Sequence, residues 1–184
     1  RVPLSWKVIS NTNLKAMFRV GDGSGLRGKP ANFSPMYDLL SFHETKPIST
    51  YVFAFAAGDF VEFEDESKFD KFDKKESAKM TKQGILADSR LSVILDKSPT
   101  IQSKIYVRKS QAEKFKPHAQ EVFRLNRECV KYLEEYFDYK FPFPKYDLVL
   151  IPEFPFGGME HAGATFLRES SIIFPSEPTK NDII

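Results

Sequence analysis

Residues 157–161 read Gly-Gly-Met-Glu-His, in a stretch flanked by Pro152, Phe154, Pro155 and Phe156. Two adjacent glycines let the backbone approach another group closely and adopt positive φ. A bulky apolar residue, Met159, and then a carboxylate, Glu160, come directly after them. The combination sets exposed backbone polar groups beside a negative charge, and a peptide with a free, protonated amino terminus could use both. Taken alone, Glu160 reads as a solvated loop carboxylate and the glycine pair as a simple turn.

The other residues capable of chemistry are sparse. The chain has three histidines, His43, His118 and His161. Two histidines one helical turn apart would face the same way and share a metal ion, with an intervening glutamate as base. No two of these lie four residues apart. His43-Glu44 begins such a motif, but Pro47 stands where the second histidine should be and would spoil a helix there. No metal site of this kind is therefore expected within the chain. His118 reads as a surface residue at a helix start and His43 as structural. Glu153 either lines a cleft or forms a rim ion pair. A single cysteine, Cys129, excludes an internal disulfide.

The elements that must position these residues fall into two regions, 1–99 and 100–184. In the first, Ser5 to Ser10, Met36 to His43, Ser49 to Phe63 and Ile85 to Leu95 carry strand signals. Both alternating sets between Thr50 and Ala57 are largely apolar, which predicts a strand buried on both faces. Gly21 to Gly25 is a turn or loop without the strand-then-helix setting of a phosphate loop. Glu62 to Lys82 alternates in charge sign and reads as a solvated hairpin or insertion. The second region opens with a strand from Ser103 to Arg108. A helix comes next, from about His118 to Phe137, with Val122, Leu125, Cys129, Tyr132, Leu133 and Tyr136 as its apolar face. Cys129 on that face is expected to be a packed thiol. Asp147 to Ile151 is a short buried strand, and Ala164 to Leu167 and Ser171 to Phe174 are further strands. Pro152 and Pro155 keep the intervening stretch extended and remove ladder donors, which suits an edge or a lip. Lys97-Ser98-Pro99-Thr100 is a polar break between the regions.

Composition excludes several function classes. The 184 residues are 41% hydrophobic and include 18 Phe, enough for a core with packed β structure. With 27 basic and 25 acidic residues the net charge is +2, so nothing in the charge calls for nucleic acid or an anionic membrane as partner. No apolar run approaches the roughly 18 residues that span a bilayer. Compartment stays open between cytoplasmic and exported.

The 157–160 stretch resembles the Gly-x-Met-Glu-Asn signature of the zinc aminopeptidases related to aminopeptidase N, with His161 where that family usually has Asn. Three more blocks in the same order carry the resemblance: Trp6 to Asn11 and Pro47 to Phe55 upstream, and Tyr139 to Pro152 leading into the signature. Thr165 to Glu169 is similar to the family's segment just after the signature. The resemblance implies an α+β fold. Residues 1–99 would be the end of an amino-terminal antiparallel β domain. Residues 100–184 would be the first strand-helix-strand part of a thermolysin-like catalytic domain. It also implies that Glu160 holds the substrate's free amino group, that the Gly157-Gly158 backbone runs beside the peptide, and that Met159 lines the first side-chain pocket. His161 takes the position of an asparagine that would fix the loop, and it can also become charged near neutral pH. Zinc belongs to the family's H-E-x-x-H helix, which this chain lacks. Arg1 and Ile184 are accordingly expected to be the ends of a piece of a longer enzyme, inactive by itself. The competing class is a non-catalytic relative that uses the same scaffold to bind partners.

Overall fold

The computed structural model describes residues 2–20, 37–66 and 101–173, the side chains of residues 19 and 20 excepted. The chain is a mixed α+β structure. Strands β1 (Val2–Pro3), β4 (Tyr37–Phe42) and β3 (Leu14–Val20) form an antiparallel sheet in the order β1-β4-β3. Strand β2 (Lys7–Ser10) pairs antiparallel with β5 (Phe55–Gly58) in a two-stranded ribbon. The largest sheet has five strands: β6 (Phe60–Glu64), β7 (Lys104–Arg108), β8 (Asp147–Ile151), β9 (Gly158–Met159) and β10 (Ala164–Arg168). Their order is β6-β7-β8-β10-β9. The centre, β7-β8-β10, is parallel, and β6 and β9 are antiparallel edges.

Alternation along the central strands builds two cores. Tyr106, Val149, Ala164 and Phe166 turn to one face, where Ile9, Ala54 and Ala56 of the β ribbon region meet them. Ile105, Val107, Leu148 and Leu150 turn to the other, against the short helix α1 (Ala112–Phe115) and the long helix α2 (Ala119–Phe137). Phe115 and Phe123 are fully buried there. A period of two in the strands thus produces a ribbon–sheet–helix sandwich.

Helix α2 forms over the residues expected, and it ends where Asp138 turns left-handed at φ 47°. The Asp138 N–H then bonds back to the last turn, a C-terminal αL cap. Its packed side differs from the expected one. Within α2 only Ala119 and Phe123 are buried, and Leu125, Cys129, Tyr132, Leu133 and Tyr136 are exposed. Cys129 is therefore a solvent-facing thiol and not a packed one. The sheet claims the line Phe115–Ala119–Phe123, and Arg127 continues that line by pairing with the buried Asp65. Periodicity showed an apolar stripe but not which stripe the sheet would take.

The stretch from Ser49 to Phe63 is also not one doubly buried strand. Thr50–Val52 is a 3-10 turn, β5 joins the ribbon, and β6 joins the large sheet. Ala54 and Ala56 are buried, while Tyr51, Phe53 and Phe55 are 57–67% exposed. The small side chains fit against the packed Ile9 and Phe166 surface, and the aromatic set turns outward. Ser171 lies in a 3-10 turn, Glu169–Ser171, and not in a strand. Gly21 to Gly25, Ile85 to Leu95 and most of the charged stretch up to Lys82 lie outside the described residues. So does the polar break at 97–100, and β6 from before it pairs along its whole length with β7 from after it. Among the described residues no helix is long and apolar enough to cross a membrane.

The packed line predicts a contrast in stability. Phe123→Ala should cost about 3–5 kcal/mol through lost burial and a cavity, and Leu133→Ala, on the exposed stripe, less than about 1 kcal/mol. Urea unfolding of the two variants checks this, and equal losses would show that the sheet takes the other stripe.

Candidate functional site

The 157–161 segment lies on the free side of β10. Met159 pairs with Phe166 and Gly158 with Leu167, and the Arg168 N–H donates to the Gly157 carbonyl at 2.9 Å. In an antiparallel ladder only alternate residues turn their backbone groups to the neighbour. Gly157 and Met159 do so, which leaves the Gly158 N–H and C=O facing away from β10. The two glycines are not there for positive φ, since neither adopts it. Space is tight at Gly158, where a Cβ would sit 2.9 Å from Leu167 Cδ2, but that atom ends a flexible side chain that can shift. Around Gly157 a Cβ would meet nothing within 4 Å, so that position opens to solvent.

The lip before β9 is held by one side chain. The Arg168 guanidinium donates from Nε to the Phe154 carbonyl at 2.9 Å and to the Phe156 carbonyl at 3.2 Å, and from Nη2 to the Pro155 carbonyl at 3.0 Å. Glu153, exposed and left-handed at φ 49°, turns the chain into this lip. Phe154 packs edge-on to Phe156 and Phe166. Glu169 accepts both Arg108 nitrogens at 2.9 and 2.7 Å and anchors the end of β10.

After β9 the chain turns inward. Glu160 is exposed, and the Tyr51 hydroxyl reaches its Oε1 at 3.5 Å. His161 stacks edge-on to Phe166 at 4.7 Å, and its Nδ1 is buried with no hydrogen-bond partner. Burial pushes the His161 imidazole below its ordinary range, and the Glu160 charge only partly offsets that. The loop is then locked by Asn11. Its Nδ2 donates to the Val52 carbonyl at 2.9 Å and to the Ala162 carbonyl at 2.8 Å, and its Oδ1 accepts from the Ala54 N–H at 3.0 Å. Ala162 N–H also donates to the Val52 carbonyl at 3.3 Å. Gly163 comes next at φ 74°, where a Cβ would lie 2.3 Å from the Asn11 carbonyl oxygen. Beneath it, Lys145 and Asp147 form a buried ion pair at 2.6 Å. Burial drives the lysine down and the aspartate up, against their mutual attraction.

Sequence reasoning singles out 157–161 but not Asn11, Tyr51, Gly163 or Arg168, which fix its shape. Asn11, Tyr51 and Arg168 lie in the blocks that carry the resemblance, so their place there is the available signal. Glu153, open between cleft and rim on sequence grounds, sits at the entrance to the lip. Among the described residues no three His, Cys, Asp or Glu side chains gather as a metal ion would need. The residues described thus do not fit zinc.

Residues 122–183 match the family model described as the peptidase family M1 domain. A leucyl aminopeptidase of Saccharolobus solfataricus is 27% identical over 173 residues, 94% of this chain and 16% of that protein. A probable aminopeptidase 1 of Sulfurisphaera tokodaii is 30% identical over 135 residues, 73% of this chain and 13% of the other. This chain belongs to the M1 peptidase family. An aminopeptidase N of Streptomyces lividans is also 41% identical over 75 residues, 41% of this chain and 8% of that protein. The M1 chain thus spans under a fifth of the length of these relatives.

The latch and the histidine beside it each carry a measurable consequence. Asn11→Ala strands the Ala162 carbonyl and the buried Ala54 N–H, leaves the Val52 carbonyl with the Ala162 N–H alone, and should cost on the order of 2–4 kcal/mol in denaturant unfolding. A loss within about 0.5 kcal/mol would show that the latch contributes nothing. For His161, the folded-state pKa lies below the unfolded value of about 6.5, so its neutral form stabilises the fold above that pH and the benefit fades as pH falls. His161→Asn should flatten the loss of stability between about pH 7 and 5. Parallel slopes for the two proteins, measured by unfolding across that range, would remove His161 from the account.

Proposed function

We propose that this chain is part of a zinc-dependent aminopeptidase, and that it supplies the recognition of the substrate's amino end. The observation that carries the reading is the outward edge of β9 with Glu160 beside it. An extended peptide added along that edge would exchange hydrogen bonds with the Gly158 N–H and C=O, as strands do in β-augmentation. Gly157 leaves space for that backbone, and Met159, half-buried, would line the first side-chain pocket. Glu160, one residue past the strand, would meet the peptide's ammonium. His161 would hold the turn that aims Glu160, through its ring on Phe166. Membership of the M1 family and the names of the relatives support peptides with a free amino terminus as substrates. The zinc ligands would come from outside the residues described, so the part assigned to this chain is binding and orientation.

The same reading divides the fold. Strands β1 to β5 would close an amino-terminal β domain. Strands β7 to β10 with α2 would open a thermolysin-like catalytic domain, β6 binding the two together.

Glu160→Gln in the full-length enzyme keeps the size and removes the charge. It should lower kcat/KM for substrates with a free amine by about 30- to 1000-fold, on the order of 2–4 kcal/mol. Amino-blocked substrates have no ammonium to lose, and relief of the shielded, unpaired carboxylate should leave them unchanged or raise them. Equal losses on a matched free and blocked pair would show that Glu160 supports the loop and does not read the amino terminus.

A further inference from the structure

We propose that Tyr51 is a positioning residue for the Glu160 carboxylate, with the Asn11 amide setting the distance between them. The inference rests on the reading of Glu160 as the amine-binding group. It adds a partner from the other end of the chain, 109 residues away.

Four observations converge. The Tyr51 hydroxyl lies 3.5 Å from Glu160 Oε1, in position to donate to it. Tyr51 sits in the middle of the Thr50–Val52 3-10 turn, so its backbone is fixed by that turn, with Val52 N–H bonded to the Ser49 carbonyl at 3.1 Å. The turn is fastened to the signature loop one residue later, because the Val52 carbonyl accepts from both Asn11 Nδ2 and the Ala162 N–H. Ala162 is in turn held from its carbonyl by the same Asn11 amide. The backbone is thus tied at Val52 and Ala162, one residue past Tyr51 and two past Glu160, and the two side chains meet beside that tie.

The ring itself is 59% exposed, so core packing does not explain its place. A free glutamate on a surface loop samples several rotamers, and fixing it has an entropic cost on binding. A tyrosine has only two χ angles, and its hydroxyl on Oε1 restricts the carboxylate before substrate arrives. An ionised carboxylate offers about four lone-pair sites, so one hydroxyl leaves room for an ammonium. At 3.5 Å the bond is long for a hydroxyl on a carboxylate. It orients Glu160 without closing the site.

A double-mutant cycle in the full-length enzyme tests the proposal: Tyr51→Phe, Glu160→Ala and the two together. Alanine removes the acceptor as well as the charge. Each protein is assayed on one peptide substrate with a free amine and on its N-acetylated counterpart. Tyr51→Phe keeps the ring and should leave the melting temperature unchanged. It should lower kcat/KM about 3- to 20-fold on the free amine, the size expected of one partly exposed bond to a charged group, and leave the acetylated substrate unaffected. In the Glu160→Ala background its effect should fall below about 2-fold. A Tyr51→Phe loss that persists in that background, strikes both substrates alike or is absent would overturn the positioning role. Equal losses for Glu160→Ala on both substrates would instead remove the amine reading, and the proposal with it.

Discussion

The amide of Asn11 makes three hydrogen bonds, to Val52, Ala54 and Ala162, and the packing of the molecule depends on them. Val52 and Ala54 precede the ribbon strand β5, and Ala162 precedes β10. One side chain therefore fixes how the ribbon lies across the large sheet. It also imposes a constraint on its neighbour, because the Asn11 main chain approaches Gly163 too closely for any Cβ. The glycine with the strongest structural demand is thus not in the signature. An amide suits this joint because it donates twice and accepts at once, and an aspartate would lose both donations.

Directly under the joint lies a cost. Lys145 and Asp147 are each about 95% removed from water, and burial opposes the charge on both. Their pairing and the Lys104 N–H on Asp147 Oδ1 at 3.0 Å offset part of that. A buried pair of this kind is poor evidence for stability, although removing one partner would leave an uncompensated charge. The bond from the Lys104 N–H to the Asp147 carboxylate holds the start of β8 against β7. The Asp147 N–H reaches the Gly163 carbonyl at 3.1 Å and ties the start of β8 to the approach to β10 through the backbone. The Tyr106 phenol, pushed up by burial and then by the Asp147 and Glu62 charges, stays protonated beside them.

Local signals locate α2, β8 and β10 well, because each is a dense run of one period bounded by proline, glycine or a left-handed cap. They misjudge which apolar set faces inward wherever two sets compete. On α2 the choice between the Phe123 line and the Leu133 stripe is made by the sheet, which local periodicity does not contain. At Tyr51, Phe53 and Phe55 the larger side chains turn outward, and Ala54 and Ala56 pack with Ile9 and Phe166. The site divides in the same way. Its charge and its glycines are contiguous and readable at 157–160. Its supports, Asn11, Tyr51 and Arg168, are brought in by tertiary contacts across as many as 151 residues.

If Glu160 reads the amine as proposed, its strength in that role would be set by water. Two opposite charges about 4 Å apart attract by only about 1 kcal/mol in bulk water and about 4 kcal/mol near a protein surface of lower effective dielectric. Glu160 is exposed in this chain, so its charge by itself selects weakly. An arriving peptide would change this, since a strand laid on β9 would cover Gly158 and shield the carboxylate next to it. Backbone pairing and amine recognition would then not be separate contributions. The edge strand would align the ammonium with Glu160 and remove the water that weakens their contact. A chain that cannot place an ammonium there must leave the carboxylate shielded and unpaired, which is the larger penalty. Selectivity for a free amino end would then come less from attraction to the right peptide than from the cost of covering Glu160 with the wrong one.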